Sequence, residues 1–107
     1  MNNLGKTYKV VIDRKLGSTH PEHKDIVYEI NYGYIEGIIA SDGEEQDAYV
    51  LDVLEPINEY EGKLIAIIHR LNDVEDKWVI ANKDFSVEEI YEKVKFMEKY
   101  FEIKIIK

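Results

Sequence analysis

Apolar residues fall in short runs along most of the chain and take up a helical spacing only near its end. Tyr8 to Ile12 is a β-branched run and predicts a strand. Lys15 to Asp25 is polar, carries Gly17, Ser18 and Pro21, and reads as a loop. Ile35 to Ala40 is a further strand, interrupted at Gly37, and Ser41 to Gln46 is an acidic turn built around Asp42-Gly43. Ala48 to Leu54 reads as a strand closed by Glu55-Pro56. Lys63 to Leu71 is the most apolar strand, and Lys77 to Ala81 follows the acidic turn Asp73 to Asp76. Ile103 to Ile106 ends the chain as a short strand or extended tail.

One helix is well signalled. Ser86 is a good N-cap, and Glu89 completes a capping box. Phe85 and Ile90 stand at the two staple positions. Val87, Ile90, Tyr91, Val94, Met97 and Phe101 recur at helical spacing, with Glu88, Glu92, Lys93, Lys95 and Lys99 opposite them. Several short strands and one late helix predict an α+β fold. The architecture expected is a small, closed or partly closed OB-like β-barrel, mainly antiparallel, with a C-terminal helix beside it.

Composition narrows this picture. At 107 residues with 45% hydrophobic content, residues 1–107 form one domain with a single modest core. The 14 basic and 22 acidic residues leave a net charge of −8. That balance argues against nucleic acid, where phosphates need clustered Lys and Arg, and against an anionic membrane surface. It allows carboxylates gathered to hold cations. There is no Cys, so neither a disulfide framework nor a thiolate metal site is available. Met1 to Lys6 carries no apolar signal core, and no run approaches the roughly 20 apolar residues of a membrane span. The plain expectation is a cytoplasmic protein.

The candidate chemistry lies in the acidic turns. Asp42, Glu44 and Asp47 form one cluster, and Asp73, Glu75 and Asp76, followed by Lys77, form another. Both stand at strand ends and can meet at one mouth of a barrel to share magnesium, which takes hard oxygen ligands. By spacing alone each is also an ordinary solvated hairpin turn. An EF-hand does not fit, because the twelfth position counted from Asp42 is Val53. Tyr28, Tyr32 and Tyr34 offer hydroxyls to a phosphate, or form an aromatic stripe in the barrel. Arg14, one of two arginines with Arg70, suits bidentate phosphate binding or a surface ion pair. His20 and His23 lack further evident zinc ligands and read as surface loop residues.

Taken together, Tyr8 to Tyr100 resembles the soluble, magnesium-dependent inorganic pyrophosphatases of the single-domain β-barrel type. The resemblance rests on Asn31-Tyr32-Gly33-Tyr34-Ile35 followed by Asp42-Gly43-Glu44-Glu45-Gln46-Asp47. These resemble the family's Asn-Tyr-Gly-Tyr segment and its Asp-x-Asp-x-x-Asp signature. Asp13-Arg14 upstream, Asp73, Asp76 and Lys77 downstream, and the late Tyr100 extend it. The resemblance implies hydrolysis of inorganic pyrophosphate, or of a small phosphate ester, with Mg2+ as cofactor. It implies Asp42, Asp47, Asp73 and Asp76 as metal ligands and Glu44 as general base. Arg14, Lys77 and Tyr100 would contact phosphate, supported by Tyr28 and Tyr32. Homo-oligomers are also implied, and a thin core gains from association.

Departures from the pattern carry expectations too. Glu44 is one methylene longer than the family's Asp, and Glu45-Gln46 replaces a Pro and a hydrophobic residue. Phe101 stands where a lysine is expected, which removes a phosphate contact. The family's N-terminal segment has no counterpart among Met1 to Lys6, so this resembles a trimmed variant. The segment from Gly17 to Asp25 is longer than usual, and the turn before Lys77 is shorter by about a residue. A non-catalytic module that binds phosphate ligands or metal without turnover is the alternative, and a purely structural interaction domain is a third reading.

Overall fold

A computed structural model describes residues 3–73 and 75–107. Met1 and Asn2 of the N-terminal segment, and Val74 within the second acidic turn, lie outside the described residues. The elements run β1 (Thr7–Arg14), β2 (Asn31–Ile39), β3 (Glu45–Val50), β4 (Glu59–Arg70), β5 (Asp76–Ala81), α1 (Val87–Glu98) and β6 (Ile103–Ile106). The sheet order is β1-β2-β3-β5-β4-β6, and β1 also pairs with β4, so five strands close into a barrel with β6 added outside on β4. Every pairing is antiparallel except β3 with β5. The expected α+β OB-like barrel is the observed fold.

The barrel is filled on one side of each strand and covered on the other. Val10, Ile12, Ile35, Ala48, Val50, Leu64, Trp78 and Ile80 fill the interior. The alternate residues Tyr49, Val79 and Ala81 face outward and pack with Ile90, Val94 and Phe96 of α1. A bulge on β4 switches that alternation: Leu64 pairs with Ile80 but Ala66 pairs with Val79. Leu64 therefore points into the barrel while Ala66 and Ile68 face the helix.

Several boundaries differ from expectation. β2 begins at Asn31 rather than Ile35, because Asn31 is buried and pins two loops. Its Oδ1 accepts from the Leu16 N–H at 2.9 Å, and its Nδ2 donates to the Glu55 carbonyl at 2.8 Å. Gly33 is required in this strand, since a Cβ there would run into the Val11 carbonyl of β1. β3 stops at Val50, short of Leu54: Asp52 leaves the ladder to accept from the Tyr60 hydroxyl at 2.8 Å and the Asn82 N–H at 2.9 Å.

The helix starts as expected, with the Ser86–Glu89 capping box formed in both directions. It ends at Glu98, so Tyr100 and Phe101 lie beyond it rather than within it. Phe96, not Val87, joins the buried face, and Val87 is exposed. Among the described residues no helix is long and apolar enough to cross a membrane.

Candidate active site

The parallel β3–β5 pair organises the candidate site. Parallel strands start at the same end of a sheet. Ala48 stands opposite Trp78, so Asp47 comes beside Lys77 and Gln46 beside Asp76. The buried Gln46 amide ties the two strand starts by donating to the Asp47 carbonyl at 3.0 Å and the Asp76 carbonyl at 2.7 Å. Both acidic turns, which lead into β3 and β5, are thereby brought to one end of the barrel. Asp42 of the first turn interacts with Glu75 of the second.

Lys77 lies at the centre of this end, its side chain only 6% exposed. Its Nζ donates to Asp47 Oδ2 at 2.6 Å and to the Tyr32 hydroxyl at 3.0 Å, and stands 3.4 Å from Glu75 Oε2. Burial, reinforced by the nearby Asp47 charge, raises the Tyr32 pKa far above the ordinary tyrosine value. These groups stand on the barrel's outer wall rather than inside its mouth. The reason is parity: Asp47 and Lys77 share the outward face with Tyr49 and Val79, while Ala48 and Trp78 point inward.

The neighbouring strands supply the rest. A bulge at Asp13 shifts the β1–β2 register so that Arg14 stands opposite Tyr32. The Arg14 guanidinium lies near the Tyr28 hydroxyl and opposes the rise in its pKa that burial causes. Its Nε is buried and has no hydrogen-bond partner among the described residues. A buried unsatisfied donor is costly, and a phosphate oxygen is a natural acceptor for it. Burial raises the Asp13 pKa, Arg14 opposes that shift, and the Asp47 charge adds to it. Asp42 is fully exposed and is held below the ordinary carboxylate value by the Glu44 N–H, which donates to its Oδ1 at 3.0 Å.

A cavity of about 390 Å³ opens beside Lys77, walled by Tyr28, Tyr32, Arg70 and Glu75 among others. Of the expected site residues, Lys77, Tyr28 and Tyr32 line it, while Asp47 borders it through its bond to Lys77. Glu44 and Asp73 are exposed on the two turns. Asp76 turns to His69, with Nδ1 to Oδ1 at 2.6 Å. Tyr100 is 57% exposed and lines an adjoining cavity rather than this one. Among the described residues no three acidic or imidazole groups are grouped to hold a cation as they stand.

Arg70 and Glu98 complete the wall and were not singled out by sequence patterning as site residues. Arg70 donates from Nε to Glu98 Oε1 at 3.0 Å and from Nη2 to Oε2 at 2.8 Å, and Tyr49 donates to the same Oε2 at 2.6 Å. The side chains of Arg70 and Glu98 are 7% and 0% exposed. Burial works against the Arg70 charge, but the bonds to Glu98 outweigh it and raise the pKa. Phe101 covers this pair, with its ring centroid 3.6 Å from Arg70 Cζ. Glu98 carries a signal in hindsight. It falls on the Ile90–Val94 stripe, where a carboxylate needs a buried partner.

No family model matches the sequence, and no curated protein does. Solved structures do match. The chain is similar to an inorganic pyrophosphatase from Ehrlichia chaffeensis, with a TM-score of 0.71 and 18% identity over 96% of this chain and 86% of that one. It is similar to the inorganic pyrophosphatase of Helicobacter pylori, with a TM-score of 0.64 and 18% identity over 97% and 84% of the two chains. The fold is that of inorganic pyrophosphatases. A third pyrophosphatase structure, from Coxiella burnetii, agrees with a TM-score of 0.61 and 17% identity over 97% of this chain and 88% of that one. At such identities the shared property is the pyrophosphatase fold itself, and activity has to be argued from the site.

Proposed function

We propose that the chain is a metal-dependent hydrolase that cleaves inorganic pyrophosphate to two phosphates. The observation that carries this reading is the β3–β5 register, which sets Asp47 against Lys77 with both acidic turns at the same end. Cations, hydroxyls and carboxylates then surround one cavity on a pyrophosphatase fold.

Asp42, Asp47, Asp73 and Asp76 would hold magnesium, and their carboxylate oxygens are the hard donors that this ion takes. The Lys77 ammonium between Asp47 and Glu75 already marks the spot as one that favours positive charge. Bound magnesium would neutralise the substrate and lower the pKa of water. Glu44, on its exposed turn, acts as the base that removes a proton from the attacking water. The water oxygen bonds to one phosphorus, the bridging P–O bond breaks, and its electron pair leaves with the second phosphate. Lys77 and Arg14 offset the charge that builds on that phosphate. Tyr28 and Tyr32 fix the two cations through their hydroxyls.

Phosphate release from pyrophosphate, with and without magnesium, tests this reading. The expected result is magnesium-dependent turnover that falls by about 100-fold or more in Asp47→Asn. No metal-dependent release above a blank would overturn it. A rise in melting temperature with pyrophosphate but without turnover would leave a phosphate-binding module instead.

A further inference from the structure

The candidate site does not end at the diphosphate cavity. A second cavity of about 400 Å³ adjoins it, and His20, Glu22, Met97 and Phe101 belong to the walls of both. Its size falls in the range of about 300–1,000 Å³ typical of small-molecule pockets. Its remaining apolar and aromatic walls come from His23, Ile26 and Tyr100. The two imidazoles are 5.0 Å apart, and His20 stacks on Tyr28 at 6.3 Å and 7°. Tyr28 in turn stacks on Tyr32 at 5.6 Å. A ladder of flat side chains therefore leads from the phosphate-facing tyrosines into the second cavity.

The polar groups differ between the two cavities. The first has Arg70 and Lys77 beside the carboxylates of Glu22 and Glu75. The second has the carboxylates of Glu22 and Asp25 and, among the described residues, no Lys or Arg in its wall. His20 Nδ1 accepts from the Glu22 N–H at 3.0 Å, so a neutral His20 carries its proton on Nε2 as a donor. With Asp25 added and neither Arg70 nor Lys77 present, this wall disfavours a further phosphate. It suits a planar, uncharged group with hydroxyl and amino donors, which rings can stack against and carboxylates can hydrogen-bond. Phe101 closes the corner between the cavities. Its ring lies on the Arg70 guanidinium and presents an aromatic surface to both cavities.

Resting on the diphosphate-hydrolase reading, we propose that, besides inorganic pyrophosphate, the site takes its ester with an alcohol that bears a planar ring, a nucleoside 5′-diphosphate, with its base in the second cavity. Water bonds to the terminal phosphorus, the P–O–P bridge breaks, and the electron pair leaves on the nucleoside monophosphate. The water's proton passes to the base already described. The products are inorganic phosphate and the monoester.

Binding, rather than turnover, separates the possibilities. Three non-hydrolysable probes are titrated calorimetrically at saturating magnesium: methylenediphosphonate, and the methylene-bridged analogues of methyl diphosphate and of a nucleoside 5′-diphosphate. The expected result is that the nucleoside analogue binds about tenfold or more tightly than its methyl counterpart of equal charge. His23→Ala, which touches only the second cavity, should remove most of that advantage and leave methylenediphosphonate affinity within about twofold. Equal affinity for the two esters, with methylenediphosphonate still bound, overturns the base cavity and leaves the diphosphate reading standing. An undiminished advantage in His23→Ala also overturns it, because the base would then lie elsewhere. Failure of all three probes to bind overturns the diphosphate reading together with this one.

Discussion

Single side chains set the character of the site, and the Arg70–Glu98–Tyr49 group shows how. One buried carboxylate satisfies a buried guanidinium and a buried phenol at once. Breaking such a pair strands a buried charge, which typically costs about 3–5 kcal/mol, and here leaves Arg70 only its 3.4 Å contact with Glu75. Glu98→Ala should therefore destabilise the protein by roughly that amount in urea unfolding. Replacing both partners, in Arg70→Met/Glu98→Leu, should recover much of the loss while emptying the cavity wall of a cation. A double variant no more stable than Glu98→Ala would show that the network, and not the stranded charge, governs stability here. Sequence patterning reached Lys77, Asp47, Tyr28 and Tyr32 because each lies in or beside a short local motif, although the bonds from Lys77 to Asp47 and Tyr32 span 30 and 45 residues. It did not reach Glu98 or Arg70, because a pairing between residues 28 apart depends on how α1 lies across β4.

Elements place those side chains, and two short signals govern the placement. Gly33 lets β1 and β2 approach closely enough for Arg14 to stand opposite Tyr32. In Gly33→Ala a strand backbone, not a flexible side chain, has to move, so that variant should lose both stability and the Arg14–Tyr32 register. Hydrogen-exchange protection of β1 amides that matched the parent would count against this. The Ser86 cap fixes where α1 begins, and hence which residues meet the barrel wall. Ser86→Ala should cost about 1 kcal/mol, read as a lower thermal midpoint with an unchanged helix content at low temperature. The start of α1 was legible because a capping box is local. Its end at Glu98 was not, because Lys99 caps it without a glycine. The last turn closes through i to i+3 bonds from Tyr100 and Phe101, and Glu98 is held by Arg70.

Across the whole molecule, packing raises the pKa of several of the eight tyrosines. Burial, reinforced by Glu98, pushes Tyr49 well above its ordinary value. Burial and the bond to Asp52 push Tyr60 to about 12. A raised folded-state pKa means that the folded protein holds its proton more tightly than the unfolded chain does. That stabilisation is fully present below about pH 10, the unfolded tyrosine value, and is lost as pH climbs through the folded one. In an ultraviolet titration, fewer than eight tyrosines should ionise near pH 10, with Tyr32 and Tyr49 following only as the protein unfolds. Eight equivalent ionisations in the native state would contradict the packing around α1. What the sequence determined by itself was local: strand runs, the helix start, and the acidic turns with their neighbouring Arg and Lys. Each depends on residues a few positions apart, where periodicity and capping act. Tertiary structure alone decided that β3 and β5 pair in parallel, that the site stands on the barrel's outer face, and that Phe101 joins two cavities. These follow from strand closure and register over long separations, which no short stretch of sequence encodes.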